Sequence, residues 1–174
     1  MILDRLFRPR PARTAGFELY SKAAAQARRP ALYTTMRTPD TREGRFEQYT
    51  LHVILLIERL RGQGEAASET SQATFDAYLR GLDDAFRELG VGDMAVPKKM
   101  KKLGQAFYGR LRAYDQALAT LPCRKELEAL IGRTVGEEVD SGALADYLLT
   151  ARDHLAAQPL DQILSGNVTW PALS

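Results

Sequence analysis

The stretch Phe86–Leu118 reads FRELGVGDMAVPKKMKKLGQAFYGRLRAYDQAL, and its reading decides the fold. One helix ends in it, a short connector follows, and a strongly basic helix begins. Gly90 stands just past the first helix, where a left-handed backbone carries no Cβ penalty. Val91 takes the position of a Schellman hydrophobic contact, and Gly92-Asp93 continues the turn. Val96 precedes a proline and is biased toward extended geometry. Pro97 suits the first helical position, because its missing N–H would be orphaned there anyway. Beyond it, Met100, Leu103, Phe107, Leu111, Tyr114 and Leu118 recur at steps of 3, 4, 4, 3 and 4. That is one core stripe near the 3.6 period, covering an arc of about 80°.

Lys98, Lys101, Lys102 and Arg112 project from the opposite side, and Lys99 and Arg110 flank the stripe. The lysines crowd the helix N-terminus, whose partial positive charge makes an exposed cation cost roughly 0.3–1 kcal/mol. Helix stability alone would not choose them. A solvated face that keeps the protein soluble is one explanation. A docking surface for something acidic is the other.

The pattern R-E-x-G-V-G-D runs from Arg87 to Asp93, V-P-K-K-M-K-K from Val96 to Lys102, and A-F-Y-G-R from Ala106 to Arg110. A second patch, GRFEQYTLH, runs from Gly44 to His52, with Arg59-Leu60 beyond it. With these motifs in this order, the chain resembles the ubiquinol–cytochrome c chaperone family, the assembly chaperones of respiratory complex III. The resemblance covers roughly residues 30–120.

The rest of the chain is consistent with one soluble domain. Its 174 residues are enough to bury a core, with 45% hydrophobic and 26% charged residues. The net charge is +2, so the basic helix is a local feature and diffuse nucleic-acid binding is not implied. Cys123 is the single cysteine, which excludes an internal disulfide and fits a reducing compartment. No apolar run approaches the roughly 20 residues of a membrane span. Arg5, Arg8 and Pro9 interrupt any signal-peptide core. We read the chain as bacterial and cytoplasmic, with peripheral contact at the inner membrane as the alternative.

Residues 1–15 read as a flexible basic N-terminus, with Ile2, Leu3, Leu6 and Phe7 ahead of Arg8, Arg10 and Arg13. A frayed end and a weak interfacial anchor both fit it. Residues 16–174 read as the helical domain. A first helix is expected over Phe17–Arg28, then a loop over 29–39. Asp40 looks like an N-cap with Glu43 as its capping-box partner.

The helix Thr41–Arg61 is the most apolar. Phe46, Tyr49, Val53, Leu56, Ile57 and Leu60 form one face, and Leu51, Ile54 and Leu55 point elsewhere. With its middle turns apolar nearly all round, it reads as the buried centre of a bundle, with a client-meeting surface as the alternative. His52 lies off its main stripe, where a hydrogen-bonded structural role outweighs metal ligation.

After a flexible link over Gly62–Ser68, a helix from about Ser71 to Leu89 turns Phe75, Tyr78, Leu79, Leu82, Phe86 and Leu89 inward. Its polar face carries Asp76, Asp83, Asp84 and Glu88, and the short connector makes it antiparallel to the basic helix. Part of the lysine charge could simply answer this acidic neighbour. A short helix is expected over Cys123–Arg133, and one capped by Asp140 or Ser141 runs through about Ala157. Pro159–Leu164 can add a turn, and Trp170 should pack as a lid. The fold class is therefore all-α, a single-domain bundle of about five to seven helices, with no segment of strand period.

No catalytic constellation emerges. There is no phosphate loop of P-loop type, no G-x-S-x-G and no H-E-x-x-H. The carboxylates sit on solvent faces, and no Cys/His spacing suggests a metal site. Neither a cofactor nor a small-molecule substrate is indicated.

The resemblance implies a non-enzymatic chaperone for newly made cytochrome b. It also implies contact with the ribosome and a small partner protein, though the chain's short, bacterial look puts these two in doubt. The positions that match the family's motifs and stand as partner-binding candidates are Arg45, His52, Asp93, Lys98, Lys99, Lys102, Tyr108 and Arg110. Lys101 joins them on the basic face. Tyr108 lies beside the core stripe and is a surface candidate. A module that binds an acidic surface, either ribosomal RNA or anionic lipid, is the alternative function. Steep salt dependence would mark it.

Overall fold

The computed structural model describes residues 11–88, 90 and 94–173. Among them are eight helices and no strand: α1 (Pro11–Ala27), α2 (Pro30–Thr34), α3 (Arg42–Leu60), α4 (Glu65–Glu88), α5 (Val96–Leu118), α6 (Lys125–Val135), α7 (Ser141–Ala157) and α8 (Leu160–Leu164). The all-α bundle expected from the periodicity is present. The count exceeds the expected range because two helices are only five residues long.

Helix α3 is the hub. It packs against α1, α4, α5, α6 and α7. Leu51, Val53, Ile54, Leu55 and Leu56 are all buried, so consecutive positions around the helix face protein. A helix apolar on every side can be satisfied only in that way.

Helices α1 and α4 share the most extensive contact, and small residues make it possible. Ala15, Gly16, Ala23, Ala24 and Ala27 are buried on α1. A Cβ on Gly16 would sit 2.5 Å from the Ala73 carbonyl carbon, so no larger residue fits without separating the helices.

Several boundaries differ from the sequence reading, for local reasons. Helix α1 begins at Pro11 rather than Phe17, because Arg13 and Thr14 are compatible with helix and Ala15–Gly16 bury against α4. The loop read over 29–39 contains α2, opened by Pro30 in its first turn. The cap of α3 is Thr41, whose side chain accepts from the Gly44 N–H at 3.1 Å. Asp40 does not cap it, because its carboxylate accepts from Arg45 Nε at 2.6 Å. Helix α4 starts at Glu65, inside the stretch read as a link. Helix α6 runs from Lys125 to Val135, two residues beyond the expected span.

Other features match the reading. Asp140 caps α7, accepting from the Ala143 N–H at 2.9 Å. The turn after Pro159 is α8. Gly90 adopts φ 74°, the left-handed region expected of it. Leu89, the Schellman contact at Val91, and Gly92-Asp93 lie outside the described residues, as do residues 1–10 and 174.

Helices α4 and α5 run antiparallel, as their ring contacts show. Phe86 meets Lys99, Tyr78 meets Phe107, and Phe75 meets both Phe107 and Tyr108. Partners advance along α5 as they retreat along α4.

Candidate functional site

Helix α5 is sorted by its stripe. Val96, Phe107, Tyr114 and Ala117 are buried, and Leu111 and Leu118 pack against the core from its margin. That fixes the rotation of the helix, and the rotation fixes everything outside it. Lys98, Lys101, Lys102, Tyr108 and Arg112 are all exposed. At about 100° per residue, Lys98, Lys101, Tyr108 and Arg112 fall within roughly 80° of one another. They form one outward face about 20 Å long.

Among the described residues, none of Lys98, Lys99, Lys101 and Lys102 makes an ion pair with the acidic face of α4. Asp83 pairs with Arg87 of its own helix at 2.8 Å, and Asp76 accepts from Gln72 at 2.9 Å. The neighbour's acids therefore do not account for the lysines. Lys99 is set apart from the other three: its ammonium lies 5.3 Å from the centroid of the Phe86 ring, a cation–π contact that holds it against α4.

Tyr108 is 53% exposed, but its ring is not loose. It lies 5.4 Å from Phe75 and 5.9 Å, edge-on, from Phe107. The ring is thus anchored by two aromatic neighbours while half of the side chain remains open to solvent. Such a half-packed aromatic loses little freedom when a partner covers it.

Arg110 leaves this group. It flanks the stripe on the side away from Tyr108 and reaches across to α3. Its Nη2 and Nε donate to the two carboxylate oxygens of Glu47 at 2.8 and 3.0 Å, a fork-to-fork pair. The Glu47 side chain is only 6% exposed and that of Arg110 is 32% exposed. Hydrogen bonding to Glu47 raises the Arg110 pKa further above its ordinary value, so the guanidinium stays charged. Arg110 is occupied in holding two helices together.

His52 leaves it too, and is wholly buried. The Gln48 carbonyl can only accept, so His52 Nδ1 donates to it at 2.7 Å, and Nε2 accepts from the Tyr147 hydroxyl at 2.8 Å. Gln26 Nε2 donates to the same hydroxyl at 3.0 Å. The Trp170 ring closes over the imidazole edge-on at 5.0 Å, the covering role expected of it. This network ties α1, α3, α7 and the C-terminal segment together. Burial pushes the His52 pKa down from 6.5 to about 4, so the imidazole is neutral. In this fold it offers no surface to a partner.

Arg45 is exposed and paired with Asp40 at 2.6 Å on the opposite side of the hub helix's first turn. Asp93 lies outside the described residues. Of the candidates read from sequence, Lys98, Lys101 and Tyr108 share one face, with the exposed Lys102 at its margin. Lys99, Arg45, His52 and Arg110 do not share it.

Three features escaped the sequence reading. Glu47 is an acid within a nearly all-apolar helix, and a charge at such a position signals a buried partner. Tyr147 carries no motif or spacing that would mark its hydroxyl as the partner of His52. Met94 is 98% exposed at the foot of α5, and no periodicity marks it.

Among the described residues, no group of three or more His, Cys, Asp or Glu could hold a metal ion, and no helix is long and apolar enough to cross a membrane.

The family model described as ubiquinol–cytochrome C chaperone matches residues 34–170. A crystal structure of the Cbp3 homolog from Brucella abortus is similar with a TM-score of 0.84 and 32% sequence identity. The match covers 99% of this chain and 98% of that one. A search of curated proteins returns no match.

Proposed function

Because the chain belongs to the ubiquinol–cytochrome C chaperone family, we propose that it holds newly made cytochrome b during complex III assembly and contacts it through the outer face of α5. The observation that carries this reading is the set of Lys98, Lys101 and Lys102. They are exposed, without ion-pair partners among the described residues, and set where the helix dipole disfavours them. Tyr108 adds a pre-anchored aromatic on the same face. The role is one of holding rather than catalysis.

The test is the triple reversal K98E/K101E/K102E. Acids suit a helix N-terminus better than lysines, so the isolated protein should fold as before and melt at the same temperature or slightly higher. Complex III should fail to accumulate in cells carrying it, with cytochrome b lost first. Normal complex III in those cells would mean that the lysines are merely solvated. The client surface would then have to lie elsewhere on the bundle.

A further inference from the structure

We propose that a second copy of this chain docks on α6. The two α6 helices run antiparallel across a two-fold axis, and Glu126 of each copy meets the partner's Arg133. Glu126 and Arg133 are both exposed, and among the described residues neither makes an ion pair or a side-chain hydrogen bond. Their neighbours are already occupied. Arg124 pairs with Glu128 at 3.3 Å and also with Asp146. Lys125 is exposed too, but it points about 100° away from Glu126.

Seven positions make two turns, so the two free charges stand about 10 Å apart and within about 20° of one another around the helix. Their midpoint falls between Ala129 and Leu130. A two-fold axis at that point sets residue 126 of one copy opposite residue 133 of the other, and forms both pairs at once. Ala129 is exposed and small, so the helices can approach closely at the axis. Beside it runs a groove of about 320 Å³ between α5 and α6. Ala113, Ala117 and Thr120 line one wall, and Glu126, Leu130 and Arg133 line the other. The small side chains leave room for a ridge of the partner.

The order of the charges also suits the dipole of α6, with acid in the first turn and base in the last. That explains their signs, but not why both border the groove unanswered. An antiparallel copy answers both, and brings the opposite ends of the two dipoles together. A partner of uniform charge, such as a nucleic acid, would satisfy Arg133 and be repelled by Glu126. The groove lies beside the last turns of α5 and the lysines beside its first, so the inference stands apart from the client reading. Two exposed ion pairs over a small groove make a weak, transient contact.

The test is sedimentation velocity of the purified full chain at low salt, from about 10 µM to 1 mM. The wild-type chain is expected to pass from monomer to dimer over that range, and raised salt should weaken the dimer. E126R and R133E should each weaken it about fifteenfold, from roughly twofold for each of two attractions lost and two repulsions gained. The double reversal E126R/R133E rebuilds both pairs with the signs exchanged and should return to wild-type association. Far-ultraviolet circular dichroism checks that all four proteins fold alike. A wild-type chain that stays monomeric throughout would overturn the proposal. So would a dimer indifferent to E126R and R133E, or one that the double reversal does not restore.

Discussion

Arg110 gives the sharpest test of how α5 divides its duties, because sequence motif and structure assign it differently. The motif Ala106–Arg110 offers it as a partner-binding residue. The structure spends the Nε–Nη2 edge of its guanidinium on Glu47, an acid with 6% of its side chain exposed. Truncation in R110A leaves that carboxylate in the interior without a counter-charge. Breaking a buried pair in this way costs roughly 3–5 kcal/mol. The guanidinium is about one third exposed, so water can reach the vacated side and reduce the loss to about 2–3 kcal/mol.

For a chain of this size each kcal/mol moves the midpoint by about 2–4 °C, so R110A should melt roughly 5–10 °C below wild type. R110K should recover only part of the difference, since an ammonium cannot present the fork. The double variant E47L/R110M removes both charges and should return close to wild type, because an apolar pair of similar volume avoids the desolvation cost. Thermal unfolding followed by far-ultraviolet circular dichroism reads all four proteins. A melting point for R110A within about 2 °C of wild type would refute the argument. Arg110 would then be a surface residue, as its motif suggests.

Two further outcomes follow from the described geometry. His52 has a folded-state pKa of about 4 against an ordinary 6.5, so the unfolded chain takes up the proton first as pH falls. The stability this neutral imidazole supports is fully present above about pH 6.5. It is lost progressively toward pH 4, to a total of about 3 kcal/mol. Urea unfolding across that range should show a markedly shallower acid slope in H52N, and an unchanged slope would place the titrating group elsewhere. Gly90 adopts φ 74° with open space where a Cβ would go, so only its backbone conformation resists substitution. G90V should cost at least about 1–2 kcal/mol, whereas K98A at an exposed site should stay within about 0.5 kcal/mol. Equal melting temperatures for the two would show that the positive φ is not required.

What the sequence made legible was local. The inward stripe of α5 from Phe107 to Leu118 is visible because each residue's neighbours in space are its neighbours three and four positions away, while Met100 and Leu103, read as part of it, are only half-buried. The same holds for the all-round apolar character of α3 and for the Asp140 cap. What it hid depends on remote partners. Arg110 and Glu47 are separated by 63 positions and His52 and Tyr147 by 95, and no period joins either pair. His52 was legible as a hydrogen-bonded structural residue from its place on an apolar helix, and entered the partner candidates only through a motif. The cap of α3 shows a nearer limit. Asp40 and Thr41 are both good caps, and Thr41 takes the position because Arg45 occupies the Asp40 carboxylate. The start of α1 was missed because its core face is built from alanine and glycine, which give a weak hydrophobic period but permit the close approach at Ala73.

The outer side of α5 departs from what a helix would choose for itself in more than its lysines. Gly104 and Gly109 interrupt the helix interior, and each costs roughly 1 kcal/mol relative to alanine. Among the described residues nothing lies within 4 Å of where either Cβ would stand, and neither glycine has a positive φ. Contacts within the chain therefore require neither. This contrasts with Gly16, where the Ala73 backbone leaves no room for a side chain. At about 100° per residue, Gly104 and Gly109 bracket Tyr108 and Lys101 around the helix. They leave bare backbone on both sides of the one anchored aromatic. Unfavourable cations at the N-terminal end and unneeded glycines further along weaken the same helix on the same side. Its buried side shows no such concession, with Phe107 1% and Tyr114 3% exposed. Stability accounts for the inner face. If the proposed client reading holds, the outer face is shaped by close approach of a partner, and G104A and G109A should then raise the melting temperature while weakening client capture.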